Sequence, residues 1–223
     1  NIYCACGEKA AQFMYPGKNV KIIHNAIDLQ AFEYSEKKRE LMRNKLGLKN
    51  KFVIGHVGRF YYVKNQTFLL DIVREIKQVN SDVRLLLIGK GEDELRLRKK
   101  VDTLGLQENV IFLIDRSDVN DLYQAMDVFV MPSVFEGLPV VGVEAQANGL
   151  PCLFSNTISN EVILTSMAKQ MDLEKSAVVW AETIMKMKRN ESTETQRQLR
   201  EQGYDISFEA KRLMNWYMEL KNN

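Results

Sequence analysis

The chain has 223 residues, enough for one sizeable core and a fragment of a second lobe. Hydrophobic residues make up 45% of it and charged residues 27%, the balance of an ordinary globular domain. With 31 basic and 29 acidic residues the formal charge is +2, which gives no case for a nucleic-acid partner, and no apolar run approaches the roughly 20 residues of a membrane-spanning helix.

Taken in chain order, residues 1–15 read as the end of a strand and the start of a helix. The chain opens on Asn1-Ile2-Tyr3-Cys4, in mid-element and with no visible signal peptide, as a piece of a longer polypeptide would. Cys4, Cys6 and Cys152 have no zinc-like spacing with the two histidines, His24 and His56, and read as free thiols in a reducing cytosol. Lys21–Asp28 reads as a strand or linker, and residues 35–47 as a charged helix closed by Gly47. On that helix Lys37-Lys38-Arg39 reads as a solvated face, with weak attraction to anionic lipid as the alternative.

Phe52–Val57 predicts a strand, and Phe68, Leu69, Ile72, Val73, Ile76 and Val79 then recur at helical spacing. Val83–Ile88 is the next strand, closed by Gly89. A charged amphipathic helix with Leu95, Leu97, Val101 and Leu104 follows and ends at Gly105. Asn109–Ile114 predicts strand, Val119–Met126 a short helix, Val128–Met131 strand, Val140–Asn148 a helix ended by Gly149, and Cys152–Ser155 a short strand. From Leu173 onward the pattern is helical. Its last helix, about Ser207–Leu220, sets Phe208, Leu213, Trp216, Tyr217 and Leu220 on one apolar stripe. That stripe packs on the lobe or docks on a neighbouring lobe absent from this chain. The strands are apolar without strict alternation, so both sheet faces should be covered. The fold expected is α/β, a Rossmann-like doubly wound parallel sheet with right-handed crossovers.

Ligands bind such sheets beyond the C-terminal ends of the strands. The segment Glu136-Gly137-Leu138-Pro139-Val140-Val141-Gly142-Val143-Glu144 follows one of those ends and runs into a helix that starts at Pro139. A helix N-terminus offers free N–H groups and a positive dipole end, which suit phosphate. Carboxylates accept hydrogen bonds from the hydroxyls of a sugar or a ribose. Gly58-Arg59 ends the first main strand, and Lys64 follows five residues on, just before the next helix. An arginine fork with a lysine point charge suits a diphosphate; the plain alternative is two solvated loop cations.

Gly89-Lys90-Gly91 lacks the third glycine of a dinucleotide fingerprint, Glu94 standing in its place. It reads as a tight turn with backbone room for a ligand. Asp115-Arg116-Ser117-Asp118 lies on the same edge and would meet a base mostly through its backbone; capping of the following helix by Ser117 or Asp118 is the equal alternative. His56, inside an apolar strand, reads as a core histidine. His24 stands in the linker, and neither has a Ser or Cys partner for nucleophilic work.

These residues resemble the family-4 retaining glycosyltransferases. The likeness rests on Gly58-Arg59 with Lys64-Asn65, on Phe112-Leu113 leading to Asp118-Val119, and on Asp127-Val128-Phe129-Val130-Met131-Pro132-Ser133 followed by Glu136-Gly137-Leu138-Pro139 and Glu144-Ala145. Gly149-Leu150-Pro151 and His24-Asn25-Ala26-Ile27-Asp28 extend it. It is strongest between residues 50 and 160 and looks closest to bacterial enzymes of capsule or exopolysaccharide assembly. The family usually carries glycine where Ile114 and Ala26 stand.

The resemblance implies the two-lobed GT-B fold. Residues 1–30 would then be the remnant of an N-terminal acceptor lobe with its linker, 31–205 the donor-binding lobe, and 206–223 a helix that packs on the missing lobe. It implies transfer of a hexosyl unit from a nucleotide-sugar, UDP-linked on family grounds, to a saccharide or lipid-linked acceptor, with retention. Arg59 and Lys64 match the pair that holds the donor diphosphate, Glu136 the glutamate facing the transferred sugar, and Glu144 the one bonding the ribose. Gly58 ends the strand beside them, Gly137 and Leu138 would offer backbone N–H groups, and Asp115 and Arg116 match a base-side loop. The catalytic set expected is thus Glu136, Arg59 and Lys64.

Bond cleavage leaves negative charge on the departing phosphate, which enzymes stabilise with preset donors or metal ions. No Asp-x-Asp pair stands near the site, so no metal or other cofactor is expected, and Arg59, Lys64 and the helix start at Pro139 would do that work. The fragment alone should bind nucleotide and transfer little sugar. A cytoplasmic protein, touching the inner face of the membrane in its full-length form, fits these expectations. Two rivals stand beside them. A sugar-nucleotide epimerase on a similar scaffold would need more acid–base groups than Glu136. The other is a non-catalytic nucleotide-sugar-binding module that has kept the fold.

Overall fold

The computed structural model describes residues 2–189 and 193–222. Residue 1 of the expected N-terminal remnant, residues 190–192 of the expected donor lobe and residue 223 of the terminal helix lie outside the described residues. Among the described residues no helix is long and apolar enough to cross a membrane.

Tyr3–Ala5 (β1), Glu8–Met14 (α1) and Val20–Ile22 (β2) make a small unit in which β1 and β2 pair in parallel. After Glu36–Lys45 (α2) comes the main alternation. It runs Phe52–Val57 (β3), Gln66–Val79 (α3), Val83–Ile88 (β4), Glu94–Thr103 (α4), Val110–Leu113 (β5), Val119–Ala125 (α5), Val128–Met131 (β6), Val140–Ala147 (α6), Cys152–Ser155 (β7) and Ala168–Met171 (β8). Three helices close the chain: Ala177–Lys186 (α7), Thr193–Glu201 (α8) and Ile206–Asn222 (α9). The six strands β3–β8 form one sheet in the order β5-β4-β3-β6-β7-β8, every neighbouring pair parallel. The order reverses between β3 and β6, so the crevice beyond their C-terminal ends is the place where a doubly wound sheet takes its ligand.

Alternate strand residues face opposite layers, as the pleat requires. Ile54, Leu85, Leu87, Val128, Val130 and Leu153 pack with Leu69, Ile72 and Ile76 of α3, Leu97 of α4 and Trp180 of α7. Val53, Leu86, Ile88, Phe129, Met131 and Phe154 pack on the other face with Met42 of α2, Leu122 and Tyr123 of α5 and Ala145 of α6. Both faces are therefore dry, which is why the strands read as unbroken apolar runs.

One strand was not expected, and one reading of the last helix does not hold. β8 carries Lys169 and Gln170 and borders the sheet beside β7. An edge strand is wetted on one side and has no need of an apolar run. The apolar stripe of α9 does not bury itself in the main lobe: Phe208 and Tyr217 are each 58% exposed and Leu220 38%. Trp216 instead lies under the Lys21 ammonium of β2, 4.6 Å from the ring centre.

The N-terminal edge of the sheet is closed by arginines. Arg39 and Arg43 donate to the carbonyls of Gln124, Met126 and Ala125 and to Asp127. Asp127 in turn accepts from the Val53 N–H at 2.7 Å. Arg189 donates to Asn148 O and Oδ1, both at 2.8 Å, and to Tyr123 O, with Tyr34 stacked at 4.3 Å. Four of these acceptors are carbonyls at the C-terminal end of α5, where a helix leaves its last carbonyls short of intrahelical donors; Tyr123 O also accepts from the Met126 N–H. Arg39 thus leaves the solvated face expected for it; only Lys37 and Lys38 stay exposed.

Candidate functional site

β3 and β6 are neighbours, and the loops that leave their C-terminal ends are tied together. Val134 N–H donates to Val63 O at 2.7 Å, and the Lys64 ammonium meets Glu136 Oε1 at 2.5 Å. The contact is an ion pair without hydrogen-bond alignment, since Oε1 has no well-angled donor. Both side chains are less than a fifth exposed, so the pair sits largely out of water and is screened less than a surface pair. Behind Glu136 its carbonyl accepts from Ser159 N–H. Ser159 Oγ donates to Glu161, whose other oxygen takes Glu8 N–H at the start of α1. The acid is thereby linked through backbone and side chain to the small N-terminal unit.

The floor of the Lys64 loop is a buried polar chain. His56 Nδ1–H donates to Val130 O at 2.9 Å, which leaves Nε2 with its lone pair. The Gln66 amide donates to that nitrogen at 3.3 Å and to Arg59 O at 2.9 Å. Burial pushes the His56 imidazole down to about 4, the Val130 carbonyl opposing and the Lys64 charge adding to the fall. His56 is the core histidine expected, and through Gln66 it also fixes the backbone of Arg59.

Sequence reasoning missed Gln66. Its only signal was a polar residue at the first position of an apolar helix.

The other expected residues lie along the same edge but are not gathered into the Lys64–Glu136 pair. Arg59 points outward, its side chain 70% exposed and paired with Glu92 at 3.1 Å. Lys90, unassigned from sequence beyond its glycine turn, pairs with Asp115 at 2.6 Å. Arg116 folds onto Asp118, which holds the Asp118 carboxyl below its usual range. Asp118 is the N-cap of α5, yet its carboxylate bonds Arg116 and caps no N–H, so the capping alternative fails.

The glycine turn is also different from expectation. A Cβ at Gly89 would lie 2.1 Å from Gly58 O, and one at Gly91 2.2 Å from Phe60 O. On the Cβ side the space belongs to the chain's own neighbouring loop. A cleft of about 670 Å³ lies beside that turn, lined by Arg59, Lys90, Gly91 and Glu92.

At α6 no side chain caps the helix start at Pro139, and the backbone N–H groups of Gly137, Leu138, Val140 and Val141 bond to no described residue. Gly137 is exposed and Leu138 half-buried. Glu144 sits one turn further on, half-buried. Its Oε2 accepts from Tyr123 O–H at 2.9 Å. Burial raises the Glu144 carboxyl above its ordinary value, and the Tyr123 bond opposes the rise. Among the described residues no three His, Cys, Asp or Glu side chains cluster as metal ligands would.

The profile of the family described as "Glycosyl transferases group 1" matches residues 38–206. EpsF of Bacillus subtilis (strain 168), a protein assigned to the glycosyltransferases, is 36% identical over 227 residues, which covers 96% of this chain and 58% of EpsF. The UDP-Gal:alpha-D-GlcNAc-diphosphoundecaprenol alpha-1,3-galactosyltransferase of Escherichia coli is 34% identical over 65% of this chain and 38% of its own length. Among solved structures, Alr3699/HepE of Anabaena in complex with UDP superposes with a TM-score of 0.83 at 22% identity, over 98% of this chain and 64% of its own. That likeness shows the fold. The chain thus spans well under two thirds of the two curated relatives.

Proposed function

We propose, starting from the fact that this chain belongs to the glycosyl transferases group 1 family, that it is the donor-binding lobe of an enzyme moving a hexosyl unit from a UDP-sugar to a saccharide or lipid-linked acceptor in polysaccharide assembly. One observation carries the reading. Lys64 and Glu136 meet at the strand-order reversal, beside a helix mouth whose N–H groups are open. A diphosphate entering there takes the N–H groups of Gly137 and Leu138 and competes with Glu136 for the Lys64 ammonium. The released carboxylate is left to face the sugar. Arg59, exposed and held by one carboxylate, swings onto the same diphosphate.

When the sugar–phosphate bond breaks, the charge on the leaving UDP falls to Arg59, Lys64 and the α6 dipole, an arrangement that needs no metal ion. Glu144 accepts from the ribose. UDP is favoured because the E. coli relative is named for UDP-Gal and the Anabaena protein was crystallised with UDP. The acceptor, and retention at the anomeric carbon, are read from the family resemblance. Acceptor binding falls to the part of the protein that corresponds to the remaining length of the relatives.

Isothermal titration with UDP tests the site directly. Micromolar to millimolar binding is expected, and no heat with UDP, ADP or GDP at millimolar ligand would sink the reading. In the full-length enzyme Glu136→Ala should cut transfer by about 10²–10³, the scale of one lost electrostatic group, with little change in melting temperature. Unchanged transfer would place the chemistry elsewhere.

A further inference from the structure

Glu144 is gripped on one side only. Its Oε2 accepts from Tyr123 O–H at 2.9 Å, and the same hydroxyl lies 3.2 Å from Val141 O, one turn earlier on α6. Its Oε1 meets no described donor. Tyr123 is wholly buried. Its ring lies against Phe32 and Phe129 with centroids at 5.9 and 6.0 Å. Such a ring has a single rotamer, and its O–H has to find its partner where the packing puts it. The packing puts it under the first turn of α6, where it spans the helix from Val141 to Glu144. The carboxylate is therefore held in one rotamer relative to the helix mouth, with one oxygen anchored and the other free.

The electrostatics agree with that geometry. Burial pushes the Tyr123 phenol far above its ordinary value, with the Glu144 charge adding to the rise, so Tyr123 remains a donor at every working pH. Burial also drives Glu144 toward its neutral form, and the phenol bond is the opposing force. The other groups facing the pair do not titrate with it. Burial raises the Cys152 thiol, which stays neutral, and Arg189 is committed to the Tyr123 and Asn148 carbonyls.

We propose that Tyr123 is a positioning residue for donor recognition: by anchoring Glu144 Oε2 it presents Oε1 alone, preset, to the ribose hydroxyls of the donor nucleotide. This rests on the reading of Glu144 as the ribose acceptor. A preset acceptor needs no reordering when the ligand arrives, which is where its affinity comes from.

The test uses the full-length enzyme as wild type, Tyr123→Phe and Glu144→Gln, titrated with UDP and with 2′,3′-dideoxy-UDP. Tyr123→Phe removes one oxygen and keeps the ring. It should weaken UDP about 5- to 20-fold, leave the dideoxy nucleotide unaffected, and raise the donor KM more than it lowers kcat. It should also move the acid limb of UDP binding to higher pH, because Glu144 loses the bond that opposes its burial-driven rise; a merely structural tyrosine would move no such limb.

Glu144→Gln should weaken UDP and flatten that limb. If it leaves UDP binding unchanged, the ribose reading itself fails. If Glu144→Gln weakens UDP while Tyr123→Phe binds and titrates as wild type, the tyrosine's role alone fails. Equal losses for UDP and the dideoxy nucleotide also overturn it. Should Tyr123→Phe fold poorly, the slowly exchanging phenolic proton of wild-type Tyr123 answers by NMR. It should shift on addition of UDP and stay put with the dideoxy nucleotide, and a proton that UDP leaves unmoved overturns the proposal.

Discussion

At the N-terminal edge of the sheet Arg39, Arg43 and Arg189 direct their N–H groups at backbone carbonyls and at Asp127, several bonds to each guanidinium. At the C-terminal edge Arg59, Lys64 and Lys90 each pair with a single carboxylate among the described residues, Arg59 also lying 5.7 Å from the Tyr61 ring centre. The residue types are the same and their uses differ. Bonds to fixed carbonyls have no substitute, because nothing else can satisfy a buried helix end. A lone cation–carboxylate pair has a ready substitute in any ligand that carries phosphate. One edge is thus permanent structure, and the other is a set of charges provisionally neutralised.

Asp127 is the sharpest way to break the permanent edge. Asp127→Ala strands two arginines and orphans the Val53 N–H. The loss should be about 3–5 kcal/mol, seen as a melting temperature lower by roughly 10 °C. UDP affinity per folded molecule should hold. A stable variant that no longer binds UDP would mean that the two edges are not separable.

His56 gives the next effect, since it lies beneath the exchangeable edge and yet is fully buried. Its folded pKa, about 4, lies below the ordinary 6.5. The unfolded chain therefore takes up a proton before the folded one does. The stability is present above pH 6.5 and lost as pH falls toward 4, by about 3 kcal/mol in all. In urea melts across that window the stability of wild type should fall by about this much more than that of His56→Asn, the variant's pH profile being the flatter. Parallel profiles would show that the imidazole titrates freely and that the floor of the Lys64 loop is open.

How much of this was legible in the sequence follows from the same division. The strands β3, β4, β6 and β7 run as their apolar stretches predicted, because a strand dry on both faces writes its burial into composition. β8 was invisible because an edge strand with Lys169 and Gln170 carries no such mark. Glu136 and Lys64 could be picked out because a strand end, a glycine and a helix start make a local pattern. The partners of Arg59, Asp115 and Glu144 could not. Glu92, Lys90 and Tyr123 reach the site from other loops or helices, and a contact across the fold leaves no trace in spacing. Gly89 and Gly91 misled for the same reason: the close approach they permit is to Gly58 and Phe60, on the preceding strand's loop.

The smallest effect probes the exchangeable edge itself. Glu92 and Asp115 are about half and two thirds exposed, so their pairs with Arg59 and Lys90 should each contribute under about 1 kcal/mol to stability. Asn tolerates the left-handed backbone that Asp115 adopts at φ 50°, so Asp115→Asn leaves the loop in place, as does Glu92→Gln. Both variants should melt within about a degree of wild type. Each should bind UDP about two- to five-fold more tightly at low salt, because the diphosphate no longer displaces a carboxylate or approaches one. The gain should vanish near 0.5 M salt, where the screening length falls to roughly 4–5 Å. Weaker UDP binding in Glu92→Gln would show that this carboxylate orients Arg59 for the phosphate, and the edge would then be preset on both sides of the cleft.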